Sequence, residues 1–177
     1  MNLPNKLSVA RVLCIPAIVT LLHFSSDGCR IAAAALFIIG CLTDFFDGRI
    51  ARKRNLVTDF GKFIDPVADK LLVLTTLVML VRGGLMEAWV LVVILCRELA
   101  VDGLRMVAVG QGKVIAAGPW GKWKTTFQMV TVTVILLFNQ ACFATWYTGV
   151  LTGVSVALTL WSAVDYFYRN RSVFATK

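Results

Sequence analysis

The sequence predicts an all-α, polytopic membrane protein with six transmembrane helices and both termini in the cytoplasm. Of its 177 residues, 58% are hydrophobic and only 16% are charged. Long apolar stretches recur along the whole length, which is typical of a single membrane domain over residues 1–177. The basic residues are concentrated in alternate connections, and the positive-inside rule places those connections in the cytosol.

Six helical segments account for the chain, over about residues 8–24, 30–51, 61–81, 86–109, 120–138 and 146–168. Pro16 is expected to kink the first. The connection after the second segment is strongly basic and holds Arg49, Arg52, Lys53, Arg54 and Lys62. Residues 139–145, between the fifth and sixth segments, contain no basic residue. This alternation requires an even number of spans and is consistent with six.

The net charge of +8 indicates basic cytoplasmic loops facing anionic membrane lipids, and nucleic acid is not an expected partner. The five cysteines, at positions 14, 29, 41, 96 and 142, match no metal or redox motif, and most of them lie in apolar segments, where packed thiols are expected. Asp165 is expected to pair with Arg169, four residues later on the last helix.

Four acids mark the stretch from Asp44 to Asp69. Asp44 and Asp47 are three residues apart, and Asp65 and Asp69 are four apart. These spacings put each pair on one helix face, so two helices joined by a short loop can point four carboxylates at one place. Counted along the helices, the acids lie just inside the cytosolic leaflet.

Divalent cations are the expected partners of these acids. A lone acid inside a membrane costs about 2.5–3.5 kcal/mol on insertion scales, and Arg52 and Lys70 are too few to neutralise four. Carboxylates suit Mg²⁺ or Mn²⁺, and two such ions suit displacement at phosphorus. Gly48 and Gly61 leave room for a bulky ligand beside the backbone, and Arg52 is placed to bind a phosphate.

Two other interpretations of the acids remain open. Interhelical ion pairing also accounts for intramembrane acids, and a divalent-cation transporter would use them as a transit site. A cation pathway predicts acids spread through the membrane depth, whereas these acids are pooled at one end. The nearby Arg52 would hinder a passing cation but suits a phosphate group.

The pattern Asp44-x2-Asp47-Gly48-x2-Ala51-Arg52-x8-Gly61-x3-Asp65-x3-Asp69 resembles the signature of the CDP-alcohol phosphatidyltransferase family. The similarity extends to members that use glycerol 3-phosphate. It is carried by three further stretches, Pro4–Arg11, Cys96–Arg105 and Gly121–Thr126.

The resemblance implies transfer of the phosphatidyl group of CDP-diacylglycerol to sn-glycerol 3-phosphate, giving phosphatidylglycerophosphate and CMP. It implies two Mg²⁺ or Mn²⁺ ions held by the acids, with Asp69 also serving as general base. The implied metal ligands are Asp44, Asp47, Asp65 and Asp69, and the implied CDP-diacylglycerol contacts are Gly48, Arg52, Thr58, Gly61 and Asn5. It further implies a homodimer in the bacterial cytoplasmic membrane, with the active site on the cytosolic side.

Basic residues on the fourth and fifth helices are candidates for binding the phosphate of the acceptor. They are Arg97, Arg105, Lys122 and Lys124. Alternatively, Arg105 pairs with Glu98 or Asp102, and the lysines are ordinary charges at the cytoplasmic end. Inositol phosphate also carries a phosphate, and phosphatidylglycerol is a third possible acceptor; the resemblance favours glycerol 3-phosphate.

Overall fold

The structure, a computed structural model, describes residues 3–24, 26–53, 59–116, 118–138 and 144–173. Side chains are described for residues 7–24, 26–43, 64–116, 118–138, 146–171 and 173. The described residues are helical apart from their connections and contain no strand, which confirms the predicted all-α class. The helices are α1 (Leu3–His23), α2 (Asp27–Lys53), α3 (Asp59–Arg82), α4 (Ala88–Gly110), α5 (Pro119–Phe138), α6 (Ala144–Arg169) and a short 3-10 helix, η1 (Arg171–Val173).

Two glycines end helices α3 and α4. Gly84 and Gly112 have φ angles of 70° and 71°, in the left-handed region that favours glycine. The following amides donate back across the last turn, from Leu85 N to Leu80 O and from Lys113 N to Ala108 O, both at 2.9 Å. This is the Schellman arrangement, which satisfies the carbonyl groups that a helix end leaves unpaired.

The chain divides into two compact units, of which the first comprises Met1–Leu85 and Val132–Asn139. In it, α1 packs against both α2 and α3. The contact between α2 and α3 is close at Gly40, where a Cβ atom would lie 2.8 Å from Leu72 Cδ2. Leu72 is fully buried, so the backbone of α2 can approach α3 here only because residue 40 has no side chain.

The second unit comprises Met86–Thr131 and Gln140–Lys177. Helix α4 packs against α6, and η1 contacts both. A buried cluster of Val101, Leu104, Ala108, Tyr166 and Val173 joins these three elements. Helix α5 meets α6 through buried hydroxyl groups, with Thr131 Oγ1 and Ser155 Oγ 3.0 Å apart.

One helix in the described part of the chain, Trp146–Arg169, is both long and apolar enough to cross a bilayer. Helix α1 offers a shorter apolar stretch, Leu7–His23. Helix α4 has sufficient length but carries four charged residues in its middle and later turns, Arg97, Glu98, Asp102 and Arg105. Charged side chains are costly inside a bilayer, so the span at α4, and with it the six-span topology, remains a prediction.

Candidate functional site

Two of the predicted acids, Asp65 and Asp69, lie one turn apart on α3 and are half-buried. Asp65 accepts a hydrogen bond from Ser8 Oγ of α1, across the packing of α1 on α3. Ser8 is fully buried, so its hydroxyl group has little freedom to leave this partner. Helix α1 therefore helps to orient one of the candidate metal ligands.

Arg11 is a second polar residue that α1 contributes to this unit. Its side chain is 2% exposed, and its Nε donates to the carbonyl oxygen of Gly40 at 3.2 Å. Gly40 lies one turn before Asp44 on α2. Ser8 and Arg11 were not among the predicted site residues. Their three-residue spacing on one face of an apolar helix is the signal that identifies them.

The other residues predicted to bind the metal ions or CDP-diacylglycerol lie outside the described side chains. They are Asn5, Asp44, Asp47, Gly48, Arg52, Thr58 and Gly61. Thr58 lies outside the described residues altogether, and the other positions belong to helices α1, α2 and α3. The convergence of four carboxylates is thus a prediction that the structure leaves open.

The donor chemistry of Asp65 and Asp69 fits a hard divalent cation, because both offer carboxylate oxygens from one helix face. Among the described side chains, no group of three or more potential ligands occurs. Asp65 and Asp69 are two of the four predicted metal ligands. The predicted metal site is complete only with the other two, Asp44 and Asp47 of α2.

The second unit contains a buried cluster of charges formed by Arg97, Glu98 and Lys124. Lys124 Nζ and Arg97 Nη1 both approach Glu98 Oε1, the latter at 3.3 Å. The three side chains are 10%, 13% and 4% exposed, in sequence order. Among these three side chains, two cations share one carboxylate. Arg97 Nε is buried and has no hydrogen-bond partner within the described part of the chain.

The first turn of α5 lies beside this charge cluster. A Cβ atom at Gly121 would lie 3.6 Å from Arg97 Nη2, so the first turn of α5 passes directly beside the guanidinium group. Lys124 follows one turn later and points to the same carboxylate.

The other two predicted phosphate-binding residues are placed differently. Lys122 is exposed. Arg105, two turns beyond Arg97 on α4, donates from its Nε to the phenol oxygen of Tyr166 on α6 at 3.0 Å. The structure thus brings together Arg97 and Lys124, and it gives Arg105 a partner that the sequence did not suggest. The predicted pair of Asp165 and Arg169 is confirmed, at 2.7 Å.

Comparison with known proteins identifies the class. The family model for CDP-alcohol phosphatidyltransferase matches residues 1–161. The chain is 41% identical to the CDP-diacylglycerol–glycerol-3-phosphate 3-phosphatidyltransferase of Bacillus subtilis, covering 99% of this chain and 98% of that protein. It is 35% identical to the protein of the same name from Rickettsia bellii, covering 98% and 97% of the two chains.

A third relative is the cardiolipin synthase (CMP-forming) of Oryza sativa, 34% identical over 94% of this chain and 56% of that protein. The chain belongs to the CDP-alcohol phosphatidyltransferase family. It is therefore an enzyme of this class, as the signature from Asp44 to Asp69 predicts.

Proposed function

We propose that this enzyme transfers the phosphatidyl group of CDP-diacylglycerol to sn-glycerol 3-phosphate, forming phosphatidylglycerophosphate and CMP. The observation that carries this proposal is its similarity, over 98–99% of the chain, to relatives named for that transfer. The acid pair on α3 and the buried cations of the second unit supply the chemistry that such a transfer needs.

The donor is bound by the signature residues. Asp44, Asp47, Asp65 and Asp69 would hold two Mg²⁺ or Mn²⁺ ions, which neutralise the diphosphate and stabilise the departing CMP. Ser8 orients Asp65 within this set. The residues proposed to contact CDP-diacylglycerol are Asn5, Gly48, Arg52, Thr58 and Gly61.

Asp69 is the proposed general base. The acceptor hydroxyl oxygen forms a bond to the phosphorus atom that carries diacylglycerol. The bond from that phosphorus to the bridging oxygen of the diphosphate breaks, and this oxygen leaves with CMP. The hydroxyl proton passes to the Asp69 carboxylate.

The charge cluster of the second unit supports an acceptor that carries a phosphate. Arg97 and Lys124 bring two cations to one carboxylate, and both side chains are little exposed, so their attraction for a phosphate would be weakly screened. Arg105 adds a second guanidinium group on α4, the helix that carries Arg97. The exposed Lys122 on α5 would attract the anion from solution. A neutral acceptor would leave these cations without a function in catalysis.

The cellular setting follows from the composition and the class. A chain of this apolar character that acts on lipids is a membrane protein. We place it in the bacterial cytoplasmic membrane with six spans, its active site on the cytosolic side and its chains paired as a homodimer. Exposed apolar side chains on described helices, such as Leu99, Met106 and Trp146, support contact with lipid or a second chain.

The direct test measures CMP release by the purified protein from labelled CDP-diacylglycerol. Glycerol 3-phosphate, inositol phosphate, phosphatidylglycerol and glycerol are supplied in turn. We expect release with glycerol 3-phosphate, loss of release with EDTA, and recovery when Mg²⁺ or Mn²⁺ is restored.

Release with inositol phosphate or phosphatidylglycerol, but not glycerol 3-phosphate, would keep the class and change the acceptor. Uptake of divalent cations into vesicles without any CMP release would instead support the transporter alternative.

A further inference from the structure

Arg105 is held by a neutral partner. Its Nε donates to Tyr166 Oη at 3.0 Å, and its Cζ lies 5.6 Å from the centre of the Tyr166 ring. Within the described part of the chain, Arg105 makes no salt bridge. This contrasts with Arg97, whose charge is partly offset by Glu98. The phenol fixes the guanidinium group without cancelling its charge.

Tyr166 is itself fixed by packing. It is 5% exposed and lies in the buried cluster with Val101, Leu104, Ala108 and Val173. Val173 belongs to η1, and its carbonyl oxygen accepts a hydrogen bond from Gln111 Nε2 at 3.0 Å. The segment after α6 is thereby held against the end of α4. The phenol oxygen consequently has a defined position relative to the α4 backbone.

The geometry of the contact leaves Arg105 able to bind an anion. Only Nε is used by Tyr166, so the N–H donors of Nη1 and Nη2 point elsewhere, and these are the groups that bind phosphate in a forked geometry. A free arginine side chain loses about 2 kcal/mol of rotamer entropy on being ordered. Tyr166 orders the side chain before a ligand arrives, which lowers the cost of binding.

A purely structural contact between α4 and α6 would have a different form. Buried arginines in structural roles are normally paired with carboxylates, because an uncompensated buried charge is costly. Arg105 is half-buried, and within the described part of the chain it has no carboxylate partner. Its guanidinium group is therefore available to an anionic ligand.

We propose that Tyr166 is a positioning residue that orients Arg105 toward the phosphate of the acceptor. This inference rests on the proposed function, since it requires an acceptor that carries a phosphate. Tyr166 does not touch the reacting atoms. It holds Arg105 in place, and the segment after α6 in turn packs against Tyr166 and holds it in place.

The test is Tyr166→Phe, which keeps the ring and removes only the hydroxyl group. We expect the KM for glycerol 3-phosphate to rise about tenfold, equal to about 1.4 kcal/mol. The kcat and the KM for CDP-diacylglycerol should change little. The matched control is Tyr168→Phe, the same substitution two residues later at a site that is 68% exposed. It should leave all three constants unchanged.

A double-mutant cycle shows whether Tyr166 works through Arg105. Arg105→Ala alone should raise the same KM, and adding Tyr166→Phe should then have no further effect. The proposal would be overturned if the two substitutions acted independently, so that the KM of the double variant rose by the product of the two single increases. So would a Tyr166→Phe variant with a lower Tm and an unchanged KM, because that result assigns the contact to stability alone.

The same assays separate this inference from the proposed function. If the wild-type protein uses glycerol 3-phosphate but Tyr166→Phe does not alter its KM, only the inference fails. If the wild-type protein accepts only acceptors without a free phosphate group, the proposed function and the inference fail together.

Discussion

At the scale of single residues, Asp69 is the group on which the proposed proton transfer depends. Asp69→Asn keeps the size of the side chain but removes its ability to accept a proton. General-base catalysis contributes about 10²–10⁴-fold to the rate, so we expect kcat to fall by about 10²-fold or more. Binding of CDP-diacylglycerol, measured separately by titration, should remain detectable.

The control for Asp69→Asn is Asp27→Asn. Asp27 is 70% exposed at the start of α2, where it pairs with Arg30 at 2.9 Å. The same chemical change there should leave kcat unaltered. Full activity of the Asp69→Asn variant would show that Asp69 is not the general base.

Glu98 provides a prediction about stability. Glu98→Gln removes the carboxylate that Arg97 and Lys124 share and leaves two buried cations together. Breaking a buried ion pair from one side costs about 3–5 kcal/mol, so we expect a clear fall in the thermal stability of the protein in detergent. Asp165→Asn is the control: its partner Arg169 is 57% exposed, and such pairs contribute about 1 kcal/mol or less.

The double variant Glu98→Gln, Lys124→Met distinguishes ion pairing from packing. Removing both charges should recover part of the lost stability, since the methionine no longer needs a buried counter-charge. If the double variant is as unstable as the sum of the single variants, the pair is not the source of the effect.

The candidate site was predictable from the sequence where spacing carries the information. The spacing of Asp65 and Asp69 predicts that they share one face of a helix, and the structure places them one turn apart on α3. The partners of Arg105 and Asp65 were not predictable, because Tyr166 and Ser8 are 61 and 57 residues away along the chain. Such contacts depend on how helices pack, which a helical repeat does not specify.

At the scale of helices, the close contact of α2 with α3 gives a further prediction. Gly40→Ala places a Cβ atom against the fully buried Leu72, and overpacking of this kind costs about 1–3 kcal/mol. Since Gly40 also accepts the hydrogen bond of Arg11 and lies one turn before Asp44, activity should fall together with Tm. Thermal unfolding and the CMP-release assay measure the two effects.

Gly103→Ala is the matched control for Gly40→Ala. Gly103 lies in the interior of α4, and no atom in the described part of the chain, apart from the helix's own backbone and adjacent residues, lies within 4 Å of the position its Cβ would take. The alanine should therefore be neutral or stabilise the helix by up to about 1 kcal/mol. Equal losses in both variants would contradict the explanation, because an added methyl group would then be harmful even where it meets no neighbouring side chain.

The bounds of the helices were largely predictable, because apolar runs and glycines mark where they begin and end. Gly84 and Gly112 have the left-handed φ angles that end α3 and α4. The start of α1 was placed too late, at residue 8, whereas the helix begins at Leu3. The polar residues Asn5 and Lys6 interrupt the apolar run there, but they do not interrupt the helix.

At the scale of the whole molecule, the distribution of charge predicts the orientation of the chain in the membrane. Lysine and arginine cluster at the α2–α3 and α4–α5 connections, both within them and on the helix ends beside them, whereas the α1–α2 and α3–α4 connections offer little basic charge. The positive-inside rule therefore puts the α4–α5 connection in the cytosol and the α1–α2 connection outside. Ser26 and Lys113 are exposed residues of these two connections.

Labelling of single cysteines with a membrane-impermeant maleimide tests this orientation. After the five natural cysteines are replaced, the S26C variant should be labelled in intact bacterial cells, and the K113C variant only after permeabilisation. The cysteine-free protein should stay unlabelled throughout. The reverse pattern would put the acids of α2 and α3 on the outer side, away from cytosolic glycerol 3-phosphate. Such a chain could not make phosphatidylglycerophosphate as proposed, whatever its activity in detergent.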